Sequence, residues 1–121
     1  MAAPAAPAAR RVFLESPYSG NIAENIKYAI ECTRDSLQRG EAPFASHLLY
    51  TLHPVHLFVA DNGKHTVAVG REGAIAASQS WRYVADVTVF YVDLGWSSGM
   101  LAALQYCKER GLPWEERSIR G

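Results

Sequence analysis

Hydrophobic and polar positions along this chain switch between two periods. Val12, Phe13 and Leu14 form a short continuous apolar run bounded by Pro17 and Gly20, the pattern of a strand covered on both faces. Ile22, Ile26, Ala29, Ile30, Thr33 and Leu37 then recur at helical spacing. Asn21, with Glu24 three residues on, resembles a capping box that opens this helix, and Gly40 closes it. Residues 42–49 read as a second strand, with Pro43 at its start, where a missing N–H matters least. Residues 71–83 predict a helix with Ala74, Ala77 and Trp81 on its inner stripe, and residues 84–92, rich in Val, Phe and Tyr, give the strongest strand signal. After a loop at 93–99, a stripe of Met100, Ala103, Leu104 and Cys107 runs to Gly111 and Pro113. Residues 114–119 form a last strand, charged enough for a sheet edge. Residues 50–70, with His53, His56, His65, Pro54 and the turn-like Asp61-Asn62-Gly63, assign no firm structure.

Strands alternating with helices imply right-handed crossovers and an α/β fold: a doubly wound, mainly parallel sheet of four to five strands with helices on both faces. If the first strand is central, the chain runs outward to the second and back across to the third, so the strand order reverses beside the first strand. Ligands of such sheets bind in the crevice outside the carboxyl ends of the strands at that reversal. The loops at 15–20 and 93–99 would face each other there.

Composition changes this picture little. With 121 residues, 49% hydrophobic and 20% charged, the chain is one ordinary globular domain over residues 10–121, preceded by an Ala/Pro tail at 1–9 expected to be disordered. Twelve basic and twelve acidic residues cancel without forming runs, so no nucleic acid polymer or anionic lipid surface is expected as a partner. No apolar window is long enough to span a membrane, and the first residues lack a signal-peptide core, which predicts a cytoplasmic protein. Cys32 and Cys107 read as small core residues.

The candidate chemistry lies in the two facing loops. Each leads into a helix N-terminus, whose unpaired amides and positive dipole end favour an anion such as phosphate. Ser16, Ser19, Ser97 and Ser98 add hydroxyls, while Gly20 and Gly99 let backbone approach a ligand closely. The competing account is that the serines and Asn21 merely cap helices and the glycines merely permit turns. Glu15 ends a strand buried on both faces, where a carboxylate is costly unless it is paired or opens onto a pocket. Trp96 stands within the second loop, placed either to stack on a base or to meet a second subunit. His47, at the end of the predicted second strand, is placed either to touch ligand or to serve as a hydrogen-bonded structural residue.

The stretches VFLESPYSG, the Asn21-x-x-x-Asn25 spacing, EAPFASHLLY and DLGWSSGMLAAL together resemble the nucleoside 2-deoxyribosyltransferase-like superfamily, most closely a branch of small phage and bacterial proteins, over about residues 10–119. The resemblance implies a flavodoxin-like three-layer α/β/α fold and a nucleotide ligand. It implies that Ser16 to Gly20 and Ser97 to Gly99 hold a 5′-phosphate, with Tyr18 flanking the sugar. It also implies an N-glycoside hydrolase or deoxyribosyltransferase-like activity on a nucleoside monophosphate or related small nucleotide. The superfamily's catalytic glutamate, four residues past the loop glycine, falls here on Ala103, which can neither attack nor stabilise a cation. Either Glu15, with Glu72 or Asp93 opposite it, supplies relocated carboxylates, or the fold keeps its pocket as a catalytically inactive nucleotide-binding or sequestering module. Arg71-Glu72 resembles an Arg-Glu pair that opens a helix in this branch, and Arg71 would hold phosphate, pair with Glu15 or be a solvated helix start.

Other constellations are weaker. His53-x-x-His56 lacks the spacing of a helical zinc pair, and Ser98, His47 and Asp93 lack the strand-turn-helix elbow of a serine nucleophile. No dinucleotide or P-loop motif is present, so neither metal nor cofactor is expected. Short edge strands predict a homodimer.

Overall fold

The structure is a computed structural model that describes residues 9–49, 58–61, 64–67 and 70–121, with the backbone alone for 58–61, 64–67 and 70–72. Strand β1 (Arg11–Glu15) leads into helix α1 (Ile22–Gln38), strand β2 (Ala42–Phe44) and the short helix α2 (Ser46–Leu49). Strands β3 (Phe58–Asp61) and β4 (Lys64–Val67) pair antiparallel as a separate two-stranded sheet. Helix α3 (Gly70–Val84), strand β5 (Val87–Tyr91), helix α4 (Ser98–Arg110) and strand β6 (Trp114–Arg117) complete the chain. The main sheet has the order β2-β1-β5-β6, every pair parallel. The fold is the α/β doubly wound arrangement, and the reversal of direction falls between β1 and β5 as the sequence predicts.

Alternation across the pleat explains the layers. Val12, Leu14, Val87, Val89 and Tyr91 cover one face and pack against Tyr28 and Cys32 of α1. Phe13 and Phe90 cover the other: Arg82 of α3 lies 4.3 Å from the Phe13 ring centroid, and Met100 and Ala103 of α4 pack on Phe90. All five residues of β5 are buried, so this central strand reads as an unbroken apolar run instead of an alternation. Both cysteines are buried and free, as small core residues. The Cys32 thiol is pushed up to about 12, chiefly by burial.

Three sequence expectations are corrected. The strand expected over 42–49 is only Ala42–Phe44, because the chain turns at once into α2 and carries His47 on a helix. The stripe chosen for α1 is largely its outer side: Ile22, Ile30 and Leu37 are 42%, 49% and 58% exposed, while Asn25, Tyr28, Ala29, Cys32 and Ser36 are buried. Helix α1 is apolar on two sides, and the hydroxyl and amide groups of Asn25, Tyr28 and Ser36 on the inner one are matched by partners in the loops that flank the strands. On α3 the expected inward Trp81 is half exposed against Phe44, and the buried position is Arg82.

The charged edge strand β6 is tied across the α1 side of the sheet. The Arg117 guanidinium, 9% exposed, donates to Glu41 at 2.8 Å and to the Tyr91 hydroxyl at 2.9 Å, and Tyr91 donates to Asp35 of α1. Among the described residues no buried polar side-chain atom lacks a partner, and no helix is long and apolar enough to cross a membrane.

Candidate functional site

Because β1 and β5 are adjacent and parallel, with Glu15 beside Phe90, their carboxyl ends open on the same side of the molecule. The loop 16–21 and the loop 92–97 leave from this edge into α1 and α4. Asn21 caps α1, its side chain accepting from the Glu24 amide, and Ser97 caps α4, its hydroxyl accepting from the Met100 amide at 3.1 Å. These caps occupy the third amide of each helix and leave the two preceding it, Ser98 and Gly99 in α4, directed out of the helix end. The two ends are not equivalent. Helix α1 carries Glu24 in its first turn, whereas α4 carries no acid there, so the α4 end is the more anion-receptive.

The first loop is held from inside the fold. The buried Asn25 amide donates to the carbonyls of Tyr18 and Ser19 at 3.0 and 2.9 Å, and Gly20 turns the chain at φ +98°. Pro17 is buried and Tyr18 partly buried, while Ser19 and Gly20 stay exposed. The role of Asn25 was legible only as a spacing, four residues past Asn21 and therefore one turn deeper on the same helix.

Glu15 does not stand alone. Its carboxylate accepts from the Arg82 guanidinium at 2.6 Å, with Arg82 3% and Glu15 16% exposed. Arg82 also donates to Gln79 at 2.6 Å and to Thr88 at 3.3 Å, so every edge of the guanidinium has a neighbour. The sequence paired Glu15 with Arg71 as one option; its cation among the described residues is Arg82. The side chains of Arg71 and Glu72 lie outside the described residues, although α3 begins at Gly70, where that pair was expected to open a helix. His53, His56 and the Asn62-Gly63 turn also lie outside them.

Ser16, 4% exposed, places its hydroxyl 2.7 Å from Nε2 of the partly buried His47. Burial pushes the His47 imidazole below its ordinary pKa, with the charge of Glu15 pulling the other way. Helix α2 is anchored beside this contact by Ser46, whose hydroxyl accepts from Ser78 of α3 at 3.0 Å. His47 therefore meets Ser16 and not Ser98.

Asp93, the other candidate carboxylate, is saturated. It accepts from the Tyr28 hydroxyl at 2.5 Å, the Ser118 hydroxyl at 2.5 Å, and the amides of Ile119 and Arg120. Burial alone would raise its pKa, but these donors outweigh it and hold the carboxyl well below the usual range. Trp96 packs on Phe90 with ring centroids 5.0 Å apart, and Ala103, at the position of the superfamily's glutamate, is buried against Phe90 and Met100. Ser98 and Gly99 are exposed in the first turn of α4. Among the described residues no group of three His, Cys, Asp or Glu side chains is arranged to hold a metal.

A family profile described as a domain of unknown function, DUF7768, matches residues 10–117. The chain belongs to the DUF7768 family. No curated protein and no solved structure matches it. The matched span of this DUF7768 domain runs from the residue before β1 to the last residue of β6, so it includes the whole main sheet and both loops of the crevice. A separate apolar groove of about 200 Å³ lies at the amino ends of β1 and β2, lined by Phe13, Phe44, Trp81 and Val84. Its one charged side chain, Arg11, is engaged by Asp86, so the groove lacks the converging donors a phosphorylated ligand needs.

Proposed function

We propose that this DUF7768 domain binds a nucleoside monophosphate or related small nucleotide in the crevice between the carboxyl ends of β1 and β5, and holds it without turnover. The observation that carries this reading is the acid-free first turn of α4, capped by Ser97 and set at the reversal point of a parallel sheet beside the loop of Ser16 to Gly20. The phosphate would lie on the amides of Ser98 and Gly99, with Ser19, Gly20 and Tyr18 bordering the sugar and Trp96 at the base side. The resemblance to the deoxyribosyltransferase-like superfamily supports the same ligand class. Sequestration is favoured over catalysis because the two described carboxylates of the crevice, Glu15 and Asp93, are held by Arg82 and by four donor groups respectively.

Gly99→Asp is the sharpest test. The Cβ position at Gly99 has open room, the nearest atom being Ser97 Oγ at 3.9 Å, and an acid in the first turn of a helix favours its dipole. Stability should hold or rise slightly while a carboxylate enters the phosphate position. Calorimetric titration with a panel of nucleoside monophosphates should give a Kd at least about tenfold weaker in the variant, the repulsion of two close charges at a protein surface being a few kcal/mol. Equal affinity would sink the reading.

N-glycoside hydrolysis or transfer is kept as a second reading by one observation: the Glu15 side chain retains 16% exposure at the carboxyl end of β1. Incubation with the same panel followed by chromatography for free base separates the two. The sequestration reading expects bound nucleotide recovered intact. Release of base that disappears in Glu15→Gln would establish the enzyme instead.

A further inference from the structure

We infer that His47 is a positioning residue of the crevice: in its neutral form it draws the Ser16 hydroxyl onto its own ring, and when protonated it frees that hydroxyl to donate to a bound anion. The inference rests on the crevice being an anion site and deepens it by adding a pH dependence. Ser16 stands at the carboxyl end of β1, 4% exposed, and its hydroxyl makes one hydrogen bond among the described residues, the 2.7 Å contact to His47 Nε2. A hydroxyl hydrogen so deeply placed must be donated somewhere. With Nε2 as acceptor the single contact satisfies it; with a hydrogen on Nε2 the hydroxyl would have no acceptor.

Protonation inverts the contact. The ring nitrogen becomes a donor, Ser16 Oγ accepts from it, and the hydroxyl hydrogen turns outward. The charged group that acts on His47 among the described residues is Glu15 of β1, itself held by Arg82 of α3 at 2.6 Å; its charge favours the protonated ring, and burial, the larger effect, opposes it. Burial delays the change to pH values below the ordinary imidazole range. An anion that gains a donor in this way must, by linkage, raise the pH at which His47 takes up its proton.

Sulfate is the suitable probe, because it stays dianionic from pH 5 to pH 8 where phosphate itself titrates. Nitrogen-15 NMR of the imidazole rings should find Nε2 of neutral His47 unprotonated, and sulfate should bind about tenfold tighter at pH 5 than at pH 8, the gain of one charge-assisted hydrogen bond. Both Ser16→Ala and His47→Gln should bring that ratio close to one. A neutral His47 carrying its hydrogen on Nε2, or a ratio unchanged in both variants, overturns the inference. Absence of sulfate binding at both pH values overturns the anion reading of the crevice instead, while the ring tautomer still decides the role of His47 by itself.

Discussion

Replacing Arg82 by Met should destabilise the fold by about 3–5 kcal/mol, the usual consequence of stripping one partner from a buried ion pair. Arg82 is 3% exposed and bonded to Glu15, Gln79 and Thr88, with its guanidinium over the Phe13 ring. Met fills a similar volume, so the loss would come from the stranded Glu15 carboxylate and the unmatched Thr88 hydroxyl and not from a cavity. Urea unfolding should move to a lower midpoint with an unchanged slope, and the melting temperature should fall by roughly 10 °C or more in a domain of this size. Adding Glu15→Gln to the Met variant removes the uncompensated charge and should recover a clear part of the loss, because contacting residues do not add. A loss under about 1 kcal/mol would mean that water reaches Glu15 freely. That result would also strengthen the catalytic reading of the crevice.

Arg82 also marks where sequence reading stops. The alternation of the main-sheet strands with α1, α3 and α4, the parallel sheet and the reversal beside β1 were legible, since they follow from the apolar runs at Val12–Leu14 and Val87–Tyr91 and the helical stripes between and after them. The caps at Asn21 and Ser97 were legible for the same local reason. What periodicity could not decide is which side of a helix turns inward when both sides offer candidates. In α1 the aliphatic side lost to the buried Cys32 and to Tyr28 and Ser36, whose hydroxyls find the carboxylates of Asp93 and Glu41 only after folding. In α3 a buried arginine displaced a tryptophan, because Glu15 at the end of β1 required a cation and long-range pairing leaves no trace in local spacing. Residues 50–70 gave no firm structure, although Asp61-Asn62-Gly63 read as turn-like. The antiparallel pairing of β3 with β4, with Asp61 opposite Lys64, was therefore missed.

The second large effect concerns Asp93, which sequence reading took for a possible catalytic carboxylate and which the fold uses as a latch for its last residues. Its two oxygens collect the Tyr28 and Ser118 hydroxyls and the amides of Ile119 and Arg120, fixing the segment after β6 against α1. Asp93→Asn keeps the size but presents an amide nitrogen to donors, and should cost about 2–4 kcal/mol at pH 7, two charge-assisted bonds being lost or weakened. The effect carries a pH signature. The folded carboxyl is held below its unfolded value near 3.9, so its contribution is complete at neutral pH and is lost as pH falls through the acid range below about 4. The stability gap between wild type and Asp93→Asn, measured by urea unfolding at pH 7, 5 and 3, should be the same at the first two and narrower at the third. Hydrogen exchange at the Ile119 and Arg120 amides should accelerate in the variant at every pH. A gap that widens towards pH 3 would show that Asp93 is protonated in the folded state, as a general acid would be and a latch would not.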